Sequence, residues 1–281
     1  EWIDLDNDKF PELMIGGDWM SIVLFKNQKG KLEDVSKQAG ITSLHGMWSA
    51  LTASDVDNDG DTDFIIGNCG LNNQFKASVK EPMTLYAEDF DNNGTIDPLL
   101  CYFIQGKSYP MASRDELLDQ IVPLRKKFIK YRDYADATIT DIFPAQKIQS
   151  ARTYQCTELS SGILYNEGNL HFSFTPLPLR AQFSRIYGIE VDDFDRDGIK
   201  DILVSGNFFP YRVQLGYADA GLGLFLKGSA NRSFVPVDAA ESGCYVGGDV
   251  RAMLSLKDNA NNNWLIFGKN DSPVQVLKIE K

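Results

Sequence analysis

The chain has 281 residues, 43% of them hydrophobic and 11% aromatic, with a mean hydropathy of −0.25, enough apolar material for a sizeable core in one or two domains. Its net charge of −11, from 28 basic and 39 acidic residues, argues against a general binder of phosphate backbones, which needs a basic footprint. No nucleic-acid partner is therefore expected. No membrane span is expected either, since no apolar run approaches roughly 18 residues.

In chain order the first element is an acidic loop, Asp4-Leu-Asp6-Asn-Asp8-Lys-Phe-Pro-Glu12. It lies almost at the first residue, which is not Met, so the chain reads as a fragment or processed product with an upstream part of the same fold missing. Ile22 to Asn27, followed by Gly30 and Leu32, reads as a β-hairpin. His45 and Trp48, expected in core or turn roles, lead to a second acidic loop, Asp55-Val-Asp57-Asn-Asp59-Gly-Asp61-Thr-Asp63. The apolar run Phe64-Ile-Ile-Gly67 follows it. A third loop, Asp89-Phe-Asp91-Asn-Asn93-Gly-Thr95-Ile-Asp97, starts only 34 residues after the second. That spacing is too short for a complete four-stranded unit, so either that unit is trimmed or the two loops share a sheet.

The strand pattern then stops. Residues 104–150 read as a helical insertion: Ser113-Arg-Asp-Glu116 is a capping box, and Pro123 opens a second helical run. From Lys107 to Arg132 the insertion carries seven basic and three acidic residues, interleaved with Tyr109, Phe128 and Tyr131. Its self-contained pattern predicts a segment on one face or rim of the β fold that folding can spare. A solvated helix, or a contact with a protein or glycan, would account for its charge.

Downstream, Ile163-Leu-Tyr-Asn166 with Gly168 opens another hairpin. Tyr187, Ile189 and Val191 alternate with polar or small residues before a fourth loop, Asp193-Phe-Asp195-Arg-Asp197-Gly-Ile199-Lys-Asp201. Phe208, Phe209, Tyr211, Arg212 and Tyr217 mark residues 207–222 as an aromatic loop, suited to stacking on sugars or to packing a hairpin. Leu224 to Gly228 with Phe234 is a third hairpin. Val250 to Leu256 and Trp264 to Gly268 form a last strand pair, whose connection, Asp258 to Asn263, lacks the carboxylates and is expected to hold no metal. Cys69, Cys101, Cys156 and Cys244 show no zinc-site spacing; Cys101 and Cys156 lie in strand-like runs, which favours small buried core residues over disulfides. The sequons at Asn93 and Asn231 are weak signals.

The four loops share one chemistry and together hold sixteen of the acidic residues. Oxygen-bearing side chains fall at positions 1, 3, 5 and 9, which suits a hard dication such as calcium with its six to eight oxygen ligands. The candidate ligands are Asp4, Asp6, Asp8 and Glu12; Asp55, Asp57, Asp59, Asp61 and Asp63; Asp89, Asp91, Asn93, Thr95 and Asp97; Asp193, Asp195, Asp197, Ile199 and Asp201. Position 7 (Asp61, Thr95, Ile199) contributes its backbone carbonyl, turned inward by a left-handed glycine at position 6 (Gly60, Gly94, Gly198). Lys9 occupies position 6 of the first loop. An EF-hand is excluded, because position 12 is Ile15, Ile66, Leu100 or Val204, so the closing carboxylate must be at position 9.

Strand, loop, strand and hairpin make a four-stranded antiparallel unit, and its recurrence predicts an all-β, β-propeller-type array of four to five units, part of a ring. The DxDxDGxxD loop, the apolar strand and the Gly67-Asn68 pair resemble the FG-GAP or VCBS repeats of integrin-α-like β-propellers. The run from Trp48 to Leu118 is similar to large bacterial VCBS-repeat proteins related to cartilage acidic protein, which often carry an ASPIC/UnbV domain. The resemblance implies a noncatalytic, calcium-binding propeller for adhesion, partner or glycan binding, at a bacterial surface or in the periplasm. The alternative is a polysaccharide-active lyase or hydrolase on the same scaffold; nucleophile-elbow and P-loop signatures are missing from the chain.

Overall fold

The computed structural model describes residues 1–210 and 216–280; Tyr211 and Arg212 of the aromatic loop lie outside the described residues. The chain divides into two compact units, one of residues 1–73 together with 159–281, the other of residues 74–158.

In the first unit, β1 (Trp2–Ile3), β2 (Glu12–Ile15), β4 (Val23–Gln28) and β5 (Lys31–Asp34) form an antiparallel sheet in that order, while β3 (Asp18–Ser21) pairs with β6 (His45–Met47). The second sheet runs β7 (Ala50–Ser54), β8 (Asp63–Gly67), β13 (Gly162–Asn166), β14 (Phe172–Pro176). Another comprises β15 (Gly188–Asp192), β16 (Asp201–Ser205), β17 (Leu224–Ser229) and β18 (Ser233–Val237). The last described sheet has three strands, β19 (Val250–Lys257), β20 (Asn263–Lys269) and β21 (Gln275–Ile279). These four-stranded antiparallel sheets give an all-β, propeller-like fold.

The period of two along each central strand explains how the sheets stack. Every residue of β8 is buried. Phe64 and Ile66 face the core shared with the first sheet, beside Met14, Leu24 and Trp48. Ile65 faces the opposite core with Ile189, Ile202 and Val204. In β16 the pattern repeats, Leu203 packing instead with Val250 and Phe267 of the last sheet. Strands buried on both faces read as continuous apolar runs, which is why Phe-Ile-Ile and Ile-Leu-Val stand where they do.

The recurring Gly-Asn at the end of the second strand has a packing reason. A Cβ on Gly67 would lie 2.4 Å from the Ile186 carbonyl oxygen, and one on Gly206 would lie 1.9 Å from that of Arg185, so only glycine lets the neighbouring backbone approach. The following asparagine then supplies the polar partners. Asn207 Nδ2 donates to the Gly221 and Gly248 carbonyls, both at 2.8 Å, and its Oδ1 accepts from Gly221 N–H. Asn68 Oδ1 accepts from the N–H groups of Met47 and Cys69.

The second unit explains the close spacing of the second and third loops, and neither sequence alternative is correct. Its own sheet, β11 (Lys107–Pro110), β10 (Asp97–Ile104), β9 (Met83–Glu88), β12 (Arg152–Cys156), is inserted in the chain between β8 and β13. The strand pattern also runs past Ile104, because Gln105 (φ 50°) and Gly106 (φ 78°) make a tight turn into β11. The helical part follows: α1 (Arg114–Gln120) with the expected Ser113–Glu116 capping box, a 3₁₀ turn (Val122–Lys126), α2 (Tyr131–Ala135), α3 (Ile139–Ile142) and α4 (Ala145–Ser150).

These helices carry core residues of the inserted unit. Leu117, Leu118, Ile121, Phe128, Ile139, Ile142 and Phe143 are buried with Phe90, Leu99 and Cys101, so they are the second layer of this unit's core. Elsewhere a short α5 (Ala239–Ser242) follows β18. No described helix is long and apolar enough to cross a membrane. The four cysteines are free thiols, Cys101, Cys156 and Cys244 buried; burial pushes the Cys101 thiol up to about 12.

Candidate metal centres

Each acidic loop joins two neighbouring antiparallel strands, β1–β2, β7–β8, β9–β10 or β15–β16, and the loops close by a shared set of hydrogen bonds, the fourth lacking the one from the position-5 N–H to position 1. The position-1 carboxylate is the hub. Asp55 Oδ1 accepts from Asp59 N–H at 3.2 Å and its Oδ2 from Gly60 N–H at 3.1 Å. Asp89 does the same for Asn93 (2.9 Å) and Gly94 (2.8 Å), and Asp4 for Asp8 (3.1 Å) and Lys9 (2.9 Å). Asp193 Oδ2 accepts from Gly198 N–H at 3.0 Å. Position 5 holds the N–H of position 7: Asp59 that of Asp61, Asn93 that of Thr95, Asp197 that of Ile199, and Asp8 that of Phe10.

Position 6 is left-handed in every loop, at Gly60, Gly94, Gly198 and also Lys9 (φ 73°). Position 4 is left-handed too, at Asn7, Asn58, Asn92 and Arg196 (φ 60–64°), a requirement the sequence reading missed. Asparagine at three of the four places was the available signal, since it tolerates this conformation better than other non-glycine residues.

The position-9 carboxylates are buried, Glu12, Asp63 and Asp201 completely and Asp97 almost so. Each clasps two elements. One oxygen accepts from the N–H of position 2: Leu5, Val56, Phe90 or Phe194, at 2.9–3.1 Å. The other reaches sideways to the third strand, where Glu12 accepts from Asn27 N–H, Asp63 from Asn166 N–H and Asp201 from Gly228 N–H. In the inserted unit the Gln120 side chain takes that part toward Asp97, at 3.1 Å. Burial pushes Asp63 up to about 7 and raises Asp201. Burial also raises Asp57, whereas hydrogen bonds led by that from Gly94 N–H lower Asp89.

Acidic oxygens converge within 4.8 Å in all four loops: from Asp4, Asp6 and Asp8; Asp55, Asp57 and Asp63; Asp89, Asp91 and Asp97; and Asp193, Asp195 and Asp197. Two oxygens in these groups, Asp57 Oδ2 and Asp193 Oδ1, are buried without a hydrogen bond. Asp57 Oδ2 has only the ion-pair contact of Arg232 Nε at 2.5 Å. An all-oxygen donor set, with Asp193 Oδ1 buried and unpartnered, fits a hard cation such as calcium.

Cations of the chain itself also sit on these oxygens. Lys26 of β4 pairs with Asp6 at 2.6 Å, and Lys227 of β17 pairs with Asp195 and, at 3.0 Å, with Asp197. These lysines lower the pKa of Asp6 and Asp197. Both immediately precede the residue whose N–H meets the position-9 carboxylate. Tyr165 holds that place in β13, and there Arg232, from the β17–β18 turn, covers the Tyr165 ring and pairs with Asp57, Asp59 and Glu167. In the third loop Lys147 Nζ donates to the Asp89 carbonyl and the Asn92 side chain. Sequence reading missed all four: hairpin register brings Lys26 and Lys227 to their loops, a turn of the neighbouring sheet brings Arg232, and α4 brings Lys147.

Of the other candidates, Trp48 is buried in the first core and His45 lies in β6. In the aromatic loop Phe209 stacks on Tyr217 at 4.7 Å. Phe208 lies 5.5 Å and 5.2 Å from the Arg185 and Arg251 guanidinium groups. The loop's described rings therefore have partners within the protein.

Four-stranded antiparallel sheets, each with an acidic turn between two neighbouring strands, define a propeller-like protein of acidic-loop repeats. In agreement, residues 4–66 match the family of FG-GAP-like repeats, spanning the first loop through to the strand after the second. No curated protein matches the chain.

Proposed function

We propose that the protein is a noncatalytic, calcium-stabilised binding module that engages a protein or glycan partner outside the cytosol. The observation that carries this reading is the fourfold recurrence of one loop geometry, in which converging carboxylates are tied through position 9 to a buried strand. Positions 1, 3 and 5 would hold the ion: Asp4, Asp6 and Asp8; Asp55, Asp57 and Asp59; Asp89, Asp91 and Asn93; Asp193, Asp195 and Asp197. Glu12, Asp63, Asp97 and Asp201 would anchor each loop, and the position-7 carbonyls of Asp61, Thr95 and Ile199 would complete the shell.

Such an ion is structural. It neutralises carboxylates that otherwise repel one another, and it fixes the turns from which the sheets start. Carboxylates committed in this way are not available as general acids, which supports a binding role over hydrolysis or elimination. Extracellular modules bind calcium at roughly 10⁻⁴ to 10⁻³ M, so the loops suit a calcium-rich compartment. Equilibrium dialysis against calcium tests the reading: several ions per chain at millimolar calcium are expected, and fewer than one would overturn it.

A further inference from the structure

We propose that the inserted unit carries a carbohydrate site in the cleft between its β10–β11 hairpin and the end of α2. The proposal rests on the reading of the chain as a binding module and names the ligand class and its place.

The cleft has a volume of about 480 Å³ and is lined by Tyr102, Gln105, Lys107, Tyr109, Tyr134 and Asp136, among others. That size falls in the roughly 300–1,000 Å³ range of small-ligand sites. Strand register builds one wall. Tyr102 is the cross-strand partner of Tyr109, and Ile104 that of Lys107, so two rings, one aliphatic side chain and one ammonium group share a face of the hairpin. Phe103 and Ser108, the pair between them, belong to the other face.

The opposite wall comes from the helical segment, where Tyr134 is fixed by a 2.7 Å hydrogen bond from its hydroxyl to the Ala112 carbonyl and by an edge contact with Phe128. Tyr102 is held likewise by the edge of Phe75, at 5.3 Å and 82°. Two of the three tyrosines are thus anchored before any ligand arrives, which lowers the ordering cost of binding.

The composition of the walls selects the ligand. Tyrosine rings offer apolar faces of the size of a pyranose, and they stand beside an amide, an ammonium and a carboxylate that can donate to and accept from hydroxyl groups. A hydrocarbon would leave those polar groups unpaired. A sugar, with its apolar C–H face and its rim of hydroxyls, satisfies both sets. Lys107 additionally provides a partner for a uronate carboxylate.

The test uses the full chain, immobilised in calcium buffer and probed with neutral hexose oligosaccharides and with uronate oligosaccharides. Retention of at least one class is expected, weakened at least tenfold by Tyr109→Ala with the melting temperature unchanged. Lys107→Ala should weaken uronates more than neutral sugars. Should Tyr109→Ala lose its fold, Gln105→Ala at the exposed turn replaces it and is expected to weaken retention severalfold. No retention of either class, or retention unaffected by these variants, would overturn the proposal while leaving a protein-binding module possible. New reducing or unsaturated ends that vanish with Tyr109→Ala would uphold the sugar site and overturn the noncatalytic reading.

Discussion

Asp63 Oδ1 accepts a 2.9 Å hydrogen bond from the backbone N–H of Asn166, 103 residues further along the chain. The whole inserted unit lies between these two residues in sequence, yet they join neighbouring strands of one sheet. The other oxygen of Asp63 holds Val56 N–H at 3.0 Å, so one buried carboxylate fastens the loop to the strand that resumes the sheet. Asp63→Ala leaves two buried N–H groups without their acceptor, at a cost on the order of 2–4 kcal/mol. Measured in chelator, so that no ion contributes, the melting temperature should fall by about 5–10 °C. An unchanged melting temperature would show that the clasp contributes nothing apart from metal.

Lys9 holds a left-handed backbone, φ 73°, at the position where the other loops have glycine. That conformation costs a non-glycine residue roughly 1 kcal/mol. Lys9→Gly should raise the melting temperature by about 1–3 °C and tighten calcium binding at the first loop, read by thermal melts with and without calcium.

The helical segment is predicted to be indispensable to the inserted unit. Replacing residues 113–143 by a Gly/Ser linker removes Leu117, Leu118, Ile121, Phe128, Ile139 and Ile142 from the core beneath β10. Each buried aliphatic or aromatic side chain removed costs about 2–5 kcal/mol. Hydrogen exchange should show β9, β10 and β11 losing protection. Their retention at wild-type protection would restore the view of the segment as an accessory.

The connection between β19 and β20 uses one carboxylate where the four acidic loops use three to five each. Asp258 accepts from the Asn262 side chain, the Trp264 indole N–H and the backbone N–H groups of Asn262 and Ala260, and these bonds, the Asn262 side chain foremost, hold it far below the usual carboxylate range. A depressed folded value contributes stability that is present above the ordinary carboxylate pKa near 4 and is lost as pH falls toward the folded value. The difference in melting temperature between wild type and Asp258→Ala should therefore be constant from pH 5 to 7 and narrow below pH 4. A gap independent of pH would assign the residue's effect to shape alone.

What was legible in the sequence was local. The apolar run of β8 and the hairpins near Asn27, Asn166 and Gly228 are set by neighbours within a few residues, and the structure places each of them as read; of the oxygens in Asp55 to Asp63 it brings together those of Asp55, Asp57 and Asp63. The nesting was not legible, because the pairing of β8 with β13 across an inserted unit leaves no mark on either strand. The helices were misjudged for a related reason: capping and amphipathicity in Ser113 to Ile121 describe a helix but not the sheet that its apolar stripe covers. Lys26, Lys227 and Arg232 were invisible as neighbours of the acidic loops, since strand register brings the two lysines there and the packing of one sheet beside the next brings the arginine.

Structural calcium in the acidic loops is tested most directly by the melting temperature of the untreated chain in millimolar calcium against excess chelator. At ten times its dissociation constant each filled site adds about 1.4 kcal/mol, and four add roughly 6, a large share of a typical net stability of about 5–15 kcal/mol. A fall of about 10 °C or more on chelation, reversed by calcium, is the predicted result; an identical melting temperature in calcium and chelator would contradict it.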